Sequence, residues 1–138
     1  MDPIQHIAFV DDDPDDHHIF SATLSELRDD VQLSSFYDCN QLISFLDSSD
    51  NLPDLIFLDL NMPTYDGREC LQLLKKHHRV SHVPVIIYST SRQEKDVALC
   101  YGHGAFKYLV KPRTFEKLKE MLRPILLASG NSSLNMEN

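Results

Sequence analysis

The stretch Leu55-Ile56-Phe57-Leu58-Asp59 sets four apolar side chains in a row and ends them on a carboxylate. A strand points alternate side chains to opposite faces, so an unbroken apolar run means that both faces are buried. That is the condition of a strand inside a parallel sheet, which needs helices on both sides. In open sheets of this kind ligands bind beyond the carboxyl ends of the strands, which is where Asp59 stands.

Reading outward, four more apolar runs recur, each followed by a stretch of helical character. Upstream, His6 to Val10 stops at Asp11, and Val31 to Phe36 is weaker and reads as an edge strand. Downstream, Pro84 opens Val85 to Tyr88, which gives way to Ser89-Thr90-Ser91, and Phe106 to Val110 is closed by Lys111-Pro112. Between them, Asp13-Pro14 is an N-cap followed by proline at the first helical position, with Asp15 and Asp16 favourable in the first turn. Ile19, Phe20, Leu24 and Leu27 follow at helical spacing as the expected buried face. Leu42, Ile43 and Leu46 mark a second helix, Leu71 and Leu74 a third, and Val97, Ala98 and Tyr101 a fourth, ended by Gly102 and Gly104. Thr114 caps a last helix with the face Phe115, Leu118, Leu122 and Ile125, and Pro124 is expected to kink it or end it early. Strict alternation of this kind predicts a flavodoxin-like, doubly wound (βα)5 fold with a parallel five-stranded sheet in the order 2-1-3-4-5. Residues 1–128 form the domain in this reading, and 129–138 are a polar tail expected to be disordered.

The chain has 138 residues, the length of one domain, and 42% of them are hydrophobic, as in ordinary globular proteins. No apolar run nears the ~20 residues that span a bilayer. The acidic cluster begins too early for a secretory leader, so a cytoplasmic setting is expected. Cys39, Cys70 and Cys100 are odd in number and contain no C-x-x-C pair, and they read as reduced thiols packed in helices. Thirteen Lys and Arg against twenty-one Asp and Glu give a net charge of −8, which argues against nucleic-acid binding. His78 and His82 have the i, i+4 spacing of a metal pair, but no third ligand is apparent, and His17, His18, His77 and His78 read as exposed.

The residues that end strands carry the chemistry. In the expected order Asp11, Asp12, Asp59, Ser89 and Lys111 all converge on one edge of the sheet. Three carboxylates together repel one another, and a divalent cation relieves that conflict. Mg²⁺ suits one or two carboxylates plus a phosphate oxygen, a carboxylate can act as nucleophile, and an ammonium and a hydroxyl can hold the phosphoryl group. The acidic run is no EF-hand loop, since the glycine and the distal glutamate of that motif are missing.

The stretches VDDDPDD, LIFLDLNMP, DG, YSTS and YLVKP, in this order, resemble the receiver domain of two-component response regulators over about His6 to Leu127. Within that family they are most similar to the stand-alone receivers that accompany bacteriophytochrome-type sensor kinases. The resemblance implies that Asp59 takes a phosphoryl group from a sensor histidine kinase. It implies Mg²⁺ held by Asp11, Asp12, Asp59 and the backbone carbonyl of Asn61, with Ser89 and Lys111 on the phosphoryl group and Tyr108 at the aromatic switch position. It also implies a cis Lys111–Pro112 bond. Two departures stand out: Ser89 replaces the commoner threonine, and Arg113 follows Pro112 where an aromatic residue is frequent. The chain ends after the fifth helix, so output is expected to pass to a downstream protein or along a phosphorelay, and a homodimer is left open. Enzymatic turnover is not expected. A phosphatase of the haloacid-dehalogenase type would carry its D-x-D pair on the first strand, whereas here the nucleophile is on the third and Asn61 stands two residues beyond it. A flavin-binding module would need a hydroxyl- and glycine-rich loop where this chain has aspartates.

Overall fold

The computed structural model describes residues 3–62 and 66–127. Five strands, β1 (His6–Val10), β2 (Gln32–Phe36), β3 (Leu55–Leu58), β4 (Val85–Ser89) and β5 (Lys107–Val110), alternate with five helices. The helices are α1 (Pro14–Leu27), α2 (Cys39–Ser48), α3 (Gly67–Lys76), α4 (Glu94–Gly102) and α5 (Phe115–Leu127). All four strand pairings are parallel and the order is β2-β1-β3-β4-β5, as the alternation predicted. The polar tail from 129 onward lies outside the described residues.

The period of two along the strands sorts the core into two layers. Ala8, Val10, Ile56, Leu58, Val85 and Ile87 face one side, where Leu42 and Leu46 of α2, Leu71 and Leu74 of α3 and Cys100 of α4 cover them. Ile7, Phe9, Leu55, Phe57, Ile86 and Tyr88 face the other, against Phe20 and Leu24 of α1 and Leu118, Leu122 and Ile125 of α5. Phe9 stacks on Phe20 with ring centroids 4.2 Å apart. Every residue of β1 and β3 is buried, which is why their apolar runs are unbroken.

Side-chain caps start three helices where the loops deliver them. Asp13, Asp38 and Asp66 accept from Asp15 N, Gln41 N and Arg68 N, satisfying amides that the first turn leaves without a helical partner. Thr114 Oγ1 does the same for Lys117 N at 3.1 Å. After α4 the chain turns through Gly104, whose φ of 99° lies in the left-handed region that glycine tolerates.

Several expectations fail, each for a tertiary reason. The buried face of α1 is His17, Phe20, Thr23 and Leu24, while Ile19 is 42% exposed, so the helix is rotated relative to its apolar pattern. His77 is half-buried too, with Nε2 2.8 Å from Asp47 Oδ1, whereas His18 and His78 are exposed as expected. Pro124 does not end α5, which continues to Leu127. The proline lies on the exposed side, while Leu122, Ile125 and Leu126 around it are buried. Three buried apolar side chains at about 1.5–3 kcal/mol each outweigh a helix-interior proline at about 3 kcal/mol. Finally, Cys39 and Cys70 are not independent thiols. They form a disulfide between α2 and α3, with Cα atoms 6.0 Å apart, while Cys100 is free and buried. Both helices cover the same face of the sheet, which brings together two cysteines 31 positions apart. The cysteines therefore give no support to a reducing compartment.

Candidate functional site

Backbone pairing fixes where the strand-ending carboxylates go. Asp11 N donates to Phe36 O at 3.1 Å and Asp59 N to Val10 O at 3.0 Å, so each residue continues the ladder for one more bond. Asp11 is fully buried and Asp59 is 5% exposed, while Asp12 faces solvent. One carboxylate oxygen from each of the three lies within 4.8 Å of the others.

Helix α3 presses on this point from outside. Gly67 N donates to Leu60 O at 2.8 Å. A Cβ on Gly67 would overlap the Asp59 carbonyl oxygen and come within 2.5 Å of Leu60 Cα, so only glycine allows α3 to start here.

Lys111, beyond β5, supplies the positive charge. Its Nζ is 2.8 Å from Asp11 Oδ2, 2.8 Å from Asp16 Oδ2 and 3.7 Å from Asp59 Oδ2. One ammonium thus faces three carboxylates, with Asp12 nearby as a fourth. Burial alone would lower the Lys111 pKa, but its bonds to Asp11 and Asp16 and the charge of Asp59 raise it, so the ammonium stays charged. The carboxylates are under-compensated. Burial, followed by repulsion from Asp11, pushes the Asp59 pKa up to about 6, against the pull of Lys111 and of a hydrogen bond from the Asn61 amide. Burial raises Asp11 as well, against its bonds to Lys111 and to the amide of Asp13. An excess of buried negative charge and hard oxygen donors fits a small divalent cation.

Ser89 is buried at the end of β4, and its Oγ accepts from Ser91 N at 3.2 Å. Lys111 N donates to Ser89 O at 2.8 Å, which ties the hydroxyl-bearing residue to the lysine-bearing one. Tyr108 on β5 is half-buried, and its hydroxyl already donates to Ser91 O at 2.9 Å. An open cleft of about 800 Å³ lies beside the site, bounded by Asn61, Arg68, Ser91 and Asp96 among others.

The Lys111–Pro112 bond, expected in the cis form, is trans, for the described residues contain no cis peptide bond. Trans is the lower-energy form of an X–Pro bond by about 0.5–1 kcal/mol, and from it the Lys111 ammonium already reaches Asp11 and Asp16. Sequence reasoning also missed two residues of the site. Asp16, in sequence only a favourable charge in the first turn of α1, shares Lys111 with Asp11. His17 Nε2 donates to Asp11 O at 2.7 Å, and its ring stacks on Tyr37 with centroids 4.2 Å apart. The spacing of His17 to Phe20 and Leu24 (i, i+3, i+7) was the available signal.

A 2-1-3-4-5 sheet with a carboxylate cluster and a lysine at its carboxyl edge defines a class of α/β protein able to hold a cation and an anion side by side. The chain belongs to the response regulator receiver domain family, which its residues 7–123 match. Receiver domains take a phosphoryl group from histidine kinases and act on downstream partners. In sequence the chain is 31% identical to response regulator Rcp1 of Synechocystis over 128 residues, 89% of this chain and 87% of Rcp1. The Mn²⁺-bound structure of Rcp1 superposes with a TM-score of 0.79, covering 97% of each chain at 29% identity. The phosphorylated cyanobacterial phytochrome response regulator RcpA gives a TM-score of 0.82 at 26% identity, covering 91% of this chain and 95% of its own. The bacteriophytochrome response regulator AtBRR gives 0.73 at 25% identity, covering 88% and 92%. The expected likeness to phytochrome-associated receivers therefore holds. No helix among the described residues is long and apolar enough to cross a membrane.

Proposed function

We propose that this chain works as a single-domain response regulator of the cytoplasm, with residues 1–128 as the receiver unit and Asp59 as phosphoacceptor for a sensor histidine kinase. The observation that carries this reading is the meeting of Asp11, Asp12 and Asp59 within 4.8 Å, with the Lys111 ammonium beside them. The Asp59 carboxylate attacks the phosphorus of a phosphohistidine. An oxygen–phosphorus bond forms, the nitrogen–phosphorus bond breaks, and the electron pair returns to the imidazole, which takes up a proton. Mg²⁺ is the cation we assign to Asp11, Asp12, Asp59 and the carbonyl of Asn61, and it would neutralise charge between two anions. Lys111 and the Ser89 hydroxyl hold phosphoryl oxygens in this scheme, and Tyr108 reports the change to the face formed by α4, β5 and α5. The protein would catalyse only its own phosphorylation and dephosphorylation and pass the signal to a protein partner or a phosphorelay. The Mn²⁺ of the Rcp1 structure and the phosphorylated state of RcpA support a site of this kind.

The test is incubation with acetyl phosphate and Mg²⁺, followed by mapping of the modified residue. One phosphoryl group on Asp59, absent when the metal is chelated, is the expected result. Phosphate on another residue, or equal uptake in chelator, would sink the assignment.

A further inference from the structure

Ser91 uses all three of its polar groups on three different partners. Its amide donates to Ser89 Oγ at 3.2 Å, its hydroxyl donates to Asp96 Oδ2 at 2.6 Å, and its carbonyl accepts from the Tyr108 hydroxyl at 2.9 Å. The other oxygen of Asp96 accepts from Arg68 Nη2 at 2.8 Å. Arg68 Nη1 in turn bonds both oxygens of Asp66, at 2.9 and 3.0 Å, and Asp66 is the cap of α3. A continuous chain therefore runs from the start of α3 through the first turn of α4 to the β4–α4 turn and β5.

We propose that Arg68 and Asp96 are positioning residues forming a latch on Ser91, which holds Tyr108 against the β4–α4 turn before any phosphoryl group arrives. The latch rests on the reading of Asp59 and Ser89 given above, and it assigns to this chain a turn already set in the resting protein. Asp96 is buried, and both its contacts are charge-assisted, roughly twice as strong as neutral hydrogen bonds. The Ser91 hydroxyl and then Arg68 hold its carboxyl below the usual range, so the latch stays ionised near neutral pH. A tie between α3 and α4 alone would need only Arg68 and Asp96. The Ser91 bonds extend this tie to the switch hydroxyl and the switch tyrosine. Because Ser89 Oγ accepts from the Ser91 amide, its own proton can turn to a phosphoryl oxygen without releasing the turn. Phosphorylation then consolidates a position that the latch has already selected, a population shift with a small remaining step.

The experiment is proton NMR of the full chain without divalent cation, comparing wild type with Asp96→Ala, Asp96→Asn and Arg68→Gln. The wild type should show one Tyr108 ring position, with Overhauser contacts to Ser91. Asp96→Ala should weaken those contacts several-fold, and Mg²⁺ with beryllofluoride should restore them. Asp96→Asn keeps an acceptor for Ser91 and should fall between, and Arg68→Gln should weaken the contacts less, providing the reading if Asp96→Ala does not fold. Wild-type contacts in Asp96→Ala, or in Arg68→Gln if Asp96→Ala does not fold, would overturn the latch. So would averaging of Tyr108 in the resting wild type. Beryllofluoride that moves neither the Asp59 nor the Ser89 amide would instead sink the phosphoacceptor reading, while the metal-free comparison still decides the latch.

Discussion

The ends of β1 and β3 and the turn after β4 lie along the same edge of the sheet and are built in opposite ways. At β1 and β3 like charges are crowded and under-compensated: Asp11 and Asp59 are buried, both have raised pKa values, and one ammonium is shared among several carboxylates. At the β4–α4 turn the buried charge is matched: Arg68 bonds Asp66 and Asp96, and Asp96 bonds Ser91. Crowded charge stores a cost that a cation can remove, so it makes a binding site. Matched charge holds one geometry, so it makes a lever. The two ends need each other, because a site without a lever signals nothing.

The largest effect should come from the crowded end. Asp59→Asn removes the proposed nucleophile, and uptake of phosphate from acetyl phosphate should fall to background when followed by mass spectrometry. Residual uptake at the wild-type rate would show that crowding at β3 has another purpose. Next, Asp12→Ala should weaken Mg²⁺ by at least about tenfold, or ~1.4 kcal/mol, in a calorimetric titration. An unchanged affinity would mean that the exposed carboxylate stands outside the ligand shell.

A smaller effect concerns stability. Asp59 has a folded pKa of about 6 against an ordinary 3.8, so the folded state holds its proton more tightly than the unfolded state does. The sign follows: as pH rises from about 4 to about 6, the folded protein loses stability, and the loss persists above that window. Discounted for solvent screening, the cost is on the order of 1–2 kcal/mol. In chelator at pH 7, Asp59→Asn should therefore melt a few degrees higher than wild type, and Mg²⁺ should close the gap. A lower melting point in chelator would contradict the crowding. The smallest effect expected is at Asp16, which competes for Lys111. Asp16→Asn should tighten beryllofluoride two- to fivefold at saturating Mg²⁺, below about 1 kcal/mol. Weaker binding would make Asp16 a support of the ammonium and not a competitor.

How much of this was legible depended on whether a residue's role is local. The apolar runs of β1 and β3 declare a two-sided burial wherever they fold, and Asp11, Asp59, Ser89 and Lys111 declare themselves by ending strands. β2 and β5 each begin one residue later than expected, at Gln32 and Lys107, since ladder pairing and not composition sets a strand's start. The failures depend on contacts between elements. Ile19 and His17 exchange faces because α1 must set Phe20 and Leu24 on the sheet. The Cys39–Cys70 pair exists only because α2 and α3 share a layer. Asp96 resembled any acidic residue in a first helical turn, and nothing in its neighbours in sequence pointed to Arg68 or Ser91.

The bond from Gly67 N to Leu60 O closes the segment between them into a handle whose two ends are fastened together. Lengthening a closed loop costs little, since each doubling adds only about 0.6 kcal/mol. Between Met62 and Asp66 the chain can therefore vary in length and chemistry while Asp59 stays where β3 and Gly67 fix it. Descendants of this sequence could retune what approaches the Asp59 carboxylate without moving it, provided that position 67 never gains a methyl group.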